Sequence, residues 1–409
     1  MHITTSPPND ALPAYANSIS GLEYIGFTPL AARRIYTNWA TRPRDNPDSL
    51  WDYITGHSNM IYIPSLISKT PRQRMTAIGL VPEIQDAILD GRFEAVFRAK
   101  DLGFWIRETL EVNYAGLCVL VPEDEVEERE DADRAALRAA ARAEMGKEGE
   151  AAVSAIEPKP TLSLTSSQTA DSLPPALFQR CVLRPGPPPV LDGLTVLYKA
   201  CAVPTPLEGC PHVLDEVAGV TFSALADWDC IGDFHSGRRA SYWVPDKAVA
   251  ELYRRYIAAR CRKAATCIVR VLVPDTWLAS VRVQSLLGDE KRWKEYVLWC
   301  RRGRILPSEG FEGLDEADVV VGYICTMDER FSGTTFKDVQ SATVAVDALR
   351  SEDGRKAVQW CFNKSCRDET LLERAVRGKV HFEVFEEEDR VERREREEIG
   401  RYTMEMSWA

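Results

Sequence analysis

The chain has 409 residues, of which 45% are hydrophobic and ten are tryptophan, with a formal net charge of −11. That length and apolar content suit two domains with separate cores. An acidic balance of this size argues against a general nucleic-acid or membrane-surface binder, because phosphate affinity rests on clustered lysine and arginine.

The first residues, Met1-His-Ile-Thr-Thr-Ser-Pro-Pro, carry neither the basic start nor the apolar stretch of a signal peptide. No apolar run approaches the roughly 20 residues of a membrane helix. The eleven cysteines are scattered without a C-x-x-C pair, so a cytoplasmic protein with reduced thiols is expected. The five histidines are too dispersed for a zinc site, and Cys210-Pro-His212, the nearest local pair, reads as loop.

Residues 1–20 are polar and proline-containing and are expected to be disordered. Residues 21–122 read as a helical domain. Thr28-Pro29 pairs an N-cap with proline at the first helical position, and Leu30, Ile35 and Trp39 follow on one face. Ser49 caps a second helix holding Leu50, Trp51, Tyr53 and Ile54. Val81-Pro82 opens another that ends at Gly91, and Leu102 to Leu120 is a long amphipathic segment. Its Phe104, Trp105 and Tyr114 read as core.

From Glu123 to Glu150 there are eleven acids and five bases, which cannot supply a core. Ala151 to Pro175 is rich in Ser, Thr and Pro. Residues 123–178 therefore read as a disordered linker. A mixed domain is expected over 179–380 and a charged tail over 381–409.

In that mixed domain Val182 to Arg184, Thr195 to Ala200 and Val220 to Leu225 look like short strands. Asp233 to Gly237 is a tight turn running into an aromatic strand, Ser241 to Val244. Pro245-Asp246 then opens a helix, Lys247 to Cys261. Ala265 to Val273 alternates and is rich in β-branched residues, so it is a strand. A short helix is expected within Pro274 to Leu287, a helix over Trp293 to Arg301, and a buried strand over Ala317 to Cys325. Val358 to Phe362 is the last clear strand, followed by a capped helix from Ser365 and a solvated helix within Glu386 to Glu398. Strands outnumber helices and the helices fall between them irregularly, which favours α+β over a doubly wound sheet.

No phosphate-binding loop, dinucleotide fingerprint or G-x-S-x-G elbow is present. Five short motifs in order remain. They are Leu197-Tyr-Lys-Ala200, then Asp233-Phe-His-Ser-Gly-Arg-Arg-Ala-Ser-Tyr-Trp-Val244, then Trp293-Lys-Glu-Tyr-Val-Leu-Trp-Cys-Arg301. Asp318-Val-Val-Val-Gly-Tyr323 and Gln359-Trp-Cys-Phe362 complete the series. Together they resemble the ADP-ribosyltransferase-like fold, in a poorly characterised bacterial and fungal branch, over about residues 192 to 373.

The resemblance implies NAD as cofactor and an unknown protein as the target of ADP-ribose transfer. It implies catalytic positions at Lys199 and Gln359, and cofactor contacts from Tyr198, Lys199, Asp233, Phe234, Gly237 and Tyr242. Tyr242 would stack on nicotinamide, and the Asp233–Gly237 turn would shape the pocket rim. The chain departs from the family pattern in four places. Lys199 stands where the first-strand histidine is expected, Ser241 and Val244 replace the residues flanking Tyr242, and Gln359 brings no negative charge. Lysine donates but cannot accept, so it does not copy a neutral histidine. Asp318, Asp328 and Glu369 are candidates for a carboxylate arriving from elsewhere. The alternative is a catalytically inactive interaction protein, a pseudoenzyme with a degenerate nucleotide pocket. Each residue taken singly also fits a plain role: Tyr242 as a core strand aromatic, Lys199 and Gln359 as solvated strand residues, and His235 as a turn residue rather than a general base.

Overall fold

A computed structural model describes residues 12–43, 45–123, 192–203, 232–235, 240–261, 264–301, 311–314, 316–327, 346–363, 372, 376 and 380–385. The acidic and Ser/Pro-rich linker beyond 123 lies outside the described residues. So do the strands expected at Val182–Arg184 and Val220–Leu225, the opening of the helix expected from Ser365, and the helix expected within Glu386–Glu398.

The N-terminal part is helical, and its helices start where polar caps and prolines place them. The first, α1 (Ile19–Ile25), is capped by Ser18, whose hydroxyl accepts from the Gly21 amide. Thr28 stands at the N-cap of α2 (Pro29–Ala40) without a side-chain cap bond, proline taking the N1 position. Ser49 and Asp52 close a full capping box on α3 (Leu50–Ser58). Then come α4 (Pro64–Ile67), α5 (Pro71–Ala77), α6 (Pro82–Ile88), α7 (Glu94–Phe97) and α8 (Leu102–Leu120). The helix opened by Pro82 stops at Ile88, and Gly91–Phe93 forms a separate 3-10 turn. Part of the segment expected to be disordered is packed. Ala16 is fully buried, and its amide donates to the Pro122 carbonyl beyond the end of α8.

Among the described residues the second part holds nine strands. Antiparallel β1 (Leu194–Val203), β3 (Ala265–Pro274) and β9 (Val380–Phe385) form one sheet in the order β1-β3-β9. The other runs β2-β8-β5-β4, with β2 (Ala240–Trp243), β8 (Val358–Asn363) and β5 (Val319–Tyr323) antiparallel and β4 (Val283–Ser285) parallel to β5. The two sheets meet at Tyr198 and Val244, whose amides each donate to the other's carbonyl at 2.7 and 2.9 Å. A ribbon of β6 (Cys325–Met327) and β7 (Val346–Ala348) completes the strands. Helix α9 (Lys247–Arg260) covers β1 and β3; α10 (Asp275–Leu278) and α11 (Glu290–Arg301) follow. The fold is α+β, with helices beside mixed sheets.

Two expectations are corrected. The single strand read over Ala317–Cys325 is two, β5 and β6, which lie in different sheets with Ile324 between them. The mixed domain does not end at 380, because β9 continues to Phe385 and pairs along β3 from Thr266 to Val271. The acidic residues of Glu383-Val-Phe-Glu-Glu-Glu-Asp masked this edge strand, whose Glu383 pairs with Lys247 at 2.6 Å.

Helix α9, which packs on the first sheet, also enters the core of the helical part, while the sheets keep core clusters of their own. Tyr256 is fully buried among the helical residues, 5.2 Å from the Phe93 ring and 5.0 Å edge-on to Trp105. Its hydroxyl donates to the Ile88 carbonyl at 2.8 Å. One turn on, the Arg260 side chain has no exposure and reaches Glu108 at 2.5 Å and Thr109 Oγ1 at 2.7 Å. Its guanidinium lies 4.8 Å over Trp105 and 4.3 Å over Tyr256. A buried cation without such partners would be costly, so Arg260 ties α9 to α8.

Candidate functional site

The turn at Gly232–His235 organises the site. Gly232 N donates to the His235 carbonyl at 3.1 Å. A Cβ on Gly232 would stand 2.3 Å from His235 Cε1 and 2.5 Å from the Tyr242 hydroxyl, so only glycine allows this close approach. Asp233 is 4% exposed and is fully used by its neighbours. Its Oδ1 accepts from Arg301 Nε at 2.7 Å. Its Oδ2 accepts from the Cys325 amide at 3.1 Å and from Gln359 Nε2 at 2.6 Å. Burial opposes the Arg301 charge, but Asp233, Cys325 and Asp101 together hold that guanidinium's pKa above its ordinary value. Arg301 also donates to the carbonyls of Ala99 at 2.6 Å and Cys325 at 3.1 Å, linking α11 to the segment that leads into α8.

Tyr242 on β2 is pinned by its hydroxyl, which accepts from the Phe234 amide at 2.8 Å and meets His235 Nδ1 at 2.8 Å. Burial, then the neighbouring Cys361 and Asp233, raise its phenol well above the ordinary range. Phe234 points elsewhere: it is 1% exposed, packs on the Tyr296 ring at 6.3 Å, and lies against Gly322.

Beside this turn is a cavity of about 140 Å³ lined from both parts of the chain. The strands supply Tyr198, Lys199, Tyr242 and Gln359, the turn supplies Asp233, and Lys100 before α8 joins Phe104, Trp105 and Glu108 on its first turns. Five sequence-predicted site residues thus share one cavity. Phe234 does not line it, because its ring belongs to the core under α11. Gly237 lies outside the described residues. Asp318 is remote, accepting from the Arg282 amide at 2.9 Å at the start of β5, while Asp328 and Glu369 lie outside the described residues.

The cavity wall is aromatic with few polar groups. Both amide hydrogens of Gln359 are taken, by Asp233 and by the Tyr323 carbonyl at 3.3 Å, so it can offer its oxygen as an acceptor. The Tyr198 hydroxyl is buried with no hydrogen-bond partner among the described residues, and burial raises its pKa. Glu108 gives Oε2 to Arg260. Lys100 Nζ stands 4.9 Å from the Phe104 ring centre and 5.6 Å from that of Tyr242. The α8 residues were not legible as site residues. Phe104 and Trp105 read as core, and Trp105 is core, 2% exposed with its indole N–H donating to the Phe97 carbonyl at 2.7 Å. Nothing in residues 100–108 signals that they face strands at least 90 residues away.

Among the described residues no group of His, Cys, Asp and Glu could hold a metal, and no helix is long and apolar enough to cross a membrane. Comparison with protein-family models, curated proteins and solved structures finds no match.

Proposed function

We propose that this cavity is a nucleotide site and that the chain is an ADP-ribosyltransferase-like protein that binds NAD there. The observation that carries the reading is the convergence of Lys199, Tyr242 and Gln359, from three strands distant in sequence, on one cavity. In this reading Tyr242 offers a ring face to nicotinamide, Gln359 accepts from its carboxamide, and Lys199 lies toward the ribose. Aromatic walls with a few convergent polar groups are the usual make-up of a small-molecule site.

Transfer needs more than binding. Breaking the nicotinamide–ribose bond develops positive charge on the ribose, which a nearby carboxylate would stabilise. Asp233 commits both oxygens to Arg301, Cys325 and Gln359, and Glu108 is paired with Arg260. That commitment favours a second reading, a catalytically silent interaction protein that keeps a degenerate nucleotide pocket and recognises an unknown protein.

The test is calorimetric titration of NAD into the full chain, with nicotinamide release measured in parallel. Binding with release supports a transferase, and binding without release supports the silent protein. Absence of both at high NAD removes the nucleotide site. Tyr242→Ala should weaken NAD by about two- to tenfold, the worth of an aromatic pair, while Tyr242→Phe keeps most of the affinity. Unchanged affinity in Tyr242→Ala would rule out stacking.

A further inference from the structure

We infer that Phe104 and Tyr242 form a cation-binding cage in this cavity, that Lys100 fills it in the free protein, and that the cationic pyridinium ring of oxidised NAD displaces Lys100. The inference rests on the nucleotide reading above and adds to it the charge of the group recognised.

The geometry is that of a cation held by ring faces. The Lys100 ammonium is 4.9 Å from one ring centre and 5.6 Å from the other, both within the roughly 6 Å reach over which the negative face of an aromatic ring attracts a positive charge. No carboxylate pairs with Lys100 among the described residues. Among the described residues the two rings are the charge-attracting partners of the ammonium.

The cage does not need Lys100 to stand. Tyr242 is fixed by the Phe234 amide and His235. Phe104 packs edge-on to buried Trp105 at 4.9 Å, and its amide donates to Asp101 Oδ1 at 2.7 Å. The backbone on either side of Lys100 is held as well. The Ala99 carbonyl accepts from Arg301, and Asp101 caps α8 while accepting from the Tyr62 hydroxyl at 2.8 Å. Only the lysine side chain has to swing for the space between the rings to open.

A pyridinium ring carries the same single charge as the ammonium and is flat, so it can lie on either ring. The dihydropyridine of NADH is flat but neutral and gains nothing from the ring quadrupoles. The cage therefore favours the oxidised cofactor. Lys100 competes with that ring for one place, so removing its charge should strengthen binding of NAD.

The experiment is calorimetric titration of NAD and NADH into the full-length protein and its Lys100→Met, Lys100→Gln and Phe104→Leu variants. Both neutral Lys100 variants should bind NAD about tenfold tighter, a gain of about 1.4 kcal/mol from an uncontested cation–ring site. NAD should bind tighter than NADH in the parent and in both variants, because either ring must displace Lys100 but only the pyridinium gains from the ring faces, and Phe104→Leu should weaken NAD. Equal or weaker NAD binding in both Lys100 variants overturns the inference and leaves the nucleotide site standing. Equal affinity for NAD and NADH in the Lys100 variants overturns the role of charge. Absence of NAD binding in the parent and in every variant overturns both the inference and the nucleotide reading.

Discussion

Replacing Asp233 by asparagine keeps its shape and removes its charge, at a residue that joins the turn, β6, β8 and α11. Three donors converge on its two oxygens: Arg301 Nε, the Cys325 amide and Gln359 Nε2. An asparagine side chain must turn its NH2 toward at least one of them, so a donor faces a donor in a buried place. The Arg301 guanidinium then loses its only carboxylate among the described residues. Breaking a buried ion pair by removing one partner costs about 3–5 kcal/mol. Arg301 keeps 17% of its side chain exposed, which places the expected loss near the lower end, about 3 kcal/mol. That is a large part of the 5–15 kcal/mol over which domains are stable. Urea unfolding followed by tryptophan fluorescence measures it as a lower midpoint. The double variant with Arg301→Met should cost less than the sum of the two single changes by about 2 kcal/mol, because the orphaned charge is gone. A single variant within about 0.5 kcal/mol of the parent, or strict additivity in the double, would refute the hub.

Two further outcomes follow from the same geometry. Gly232→Ala should lower stability by about 1–3 kcal/mol, the usual penalty of overpacking, since its Cβ would strike His235 and the Tyr242 hydroxyl. The same urea midpoint measures it, and Gly91→Ala, where a Cβ meets nothing, is the control. Burial pushes the Cys261 and Cys325 thiols up to about 12, and only the thiolate is nucleophilic. Mass-mapped iodoacetamide labelling of the folded protein at pH 8 should therefore spare both while denatured protein is modified at both.

Much of the secondary structure was legible because it is locally determined. Ser49, Asp246 and the prolines at 29 and 82 start helices by capping and by fixed backbone angles, and the structure starts helices there. The alternating, β-branched run of β3 reads directly as a strand. The break at Ile324 could not be read, because an unbroken apolar run looks the same whether it stays in one sheet or passes to another. Nor could β9 be recognised, since an edge strand carrying Glu383 resembles the charged tail that follows it.

The candidate site divides in the same way. The resemblance carried by the ordered motifs singled out Lys199, Asp233, Tyr242 and Gln359, and Gln359 carries no negative charge. Tertiary structure alone decided that they meet, that Asp233 is spent on Arg301 and Gln359, and that Lys100, Phe104 and Glu108 complete the cavity wall. The physical reason is the burial of Tyr256 and Arg260 in the helical core, which brings α8 against the strands. That contact spans about 150 residues of chain, and no local pattern of charge or periodicity encodes it.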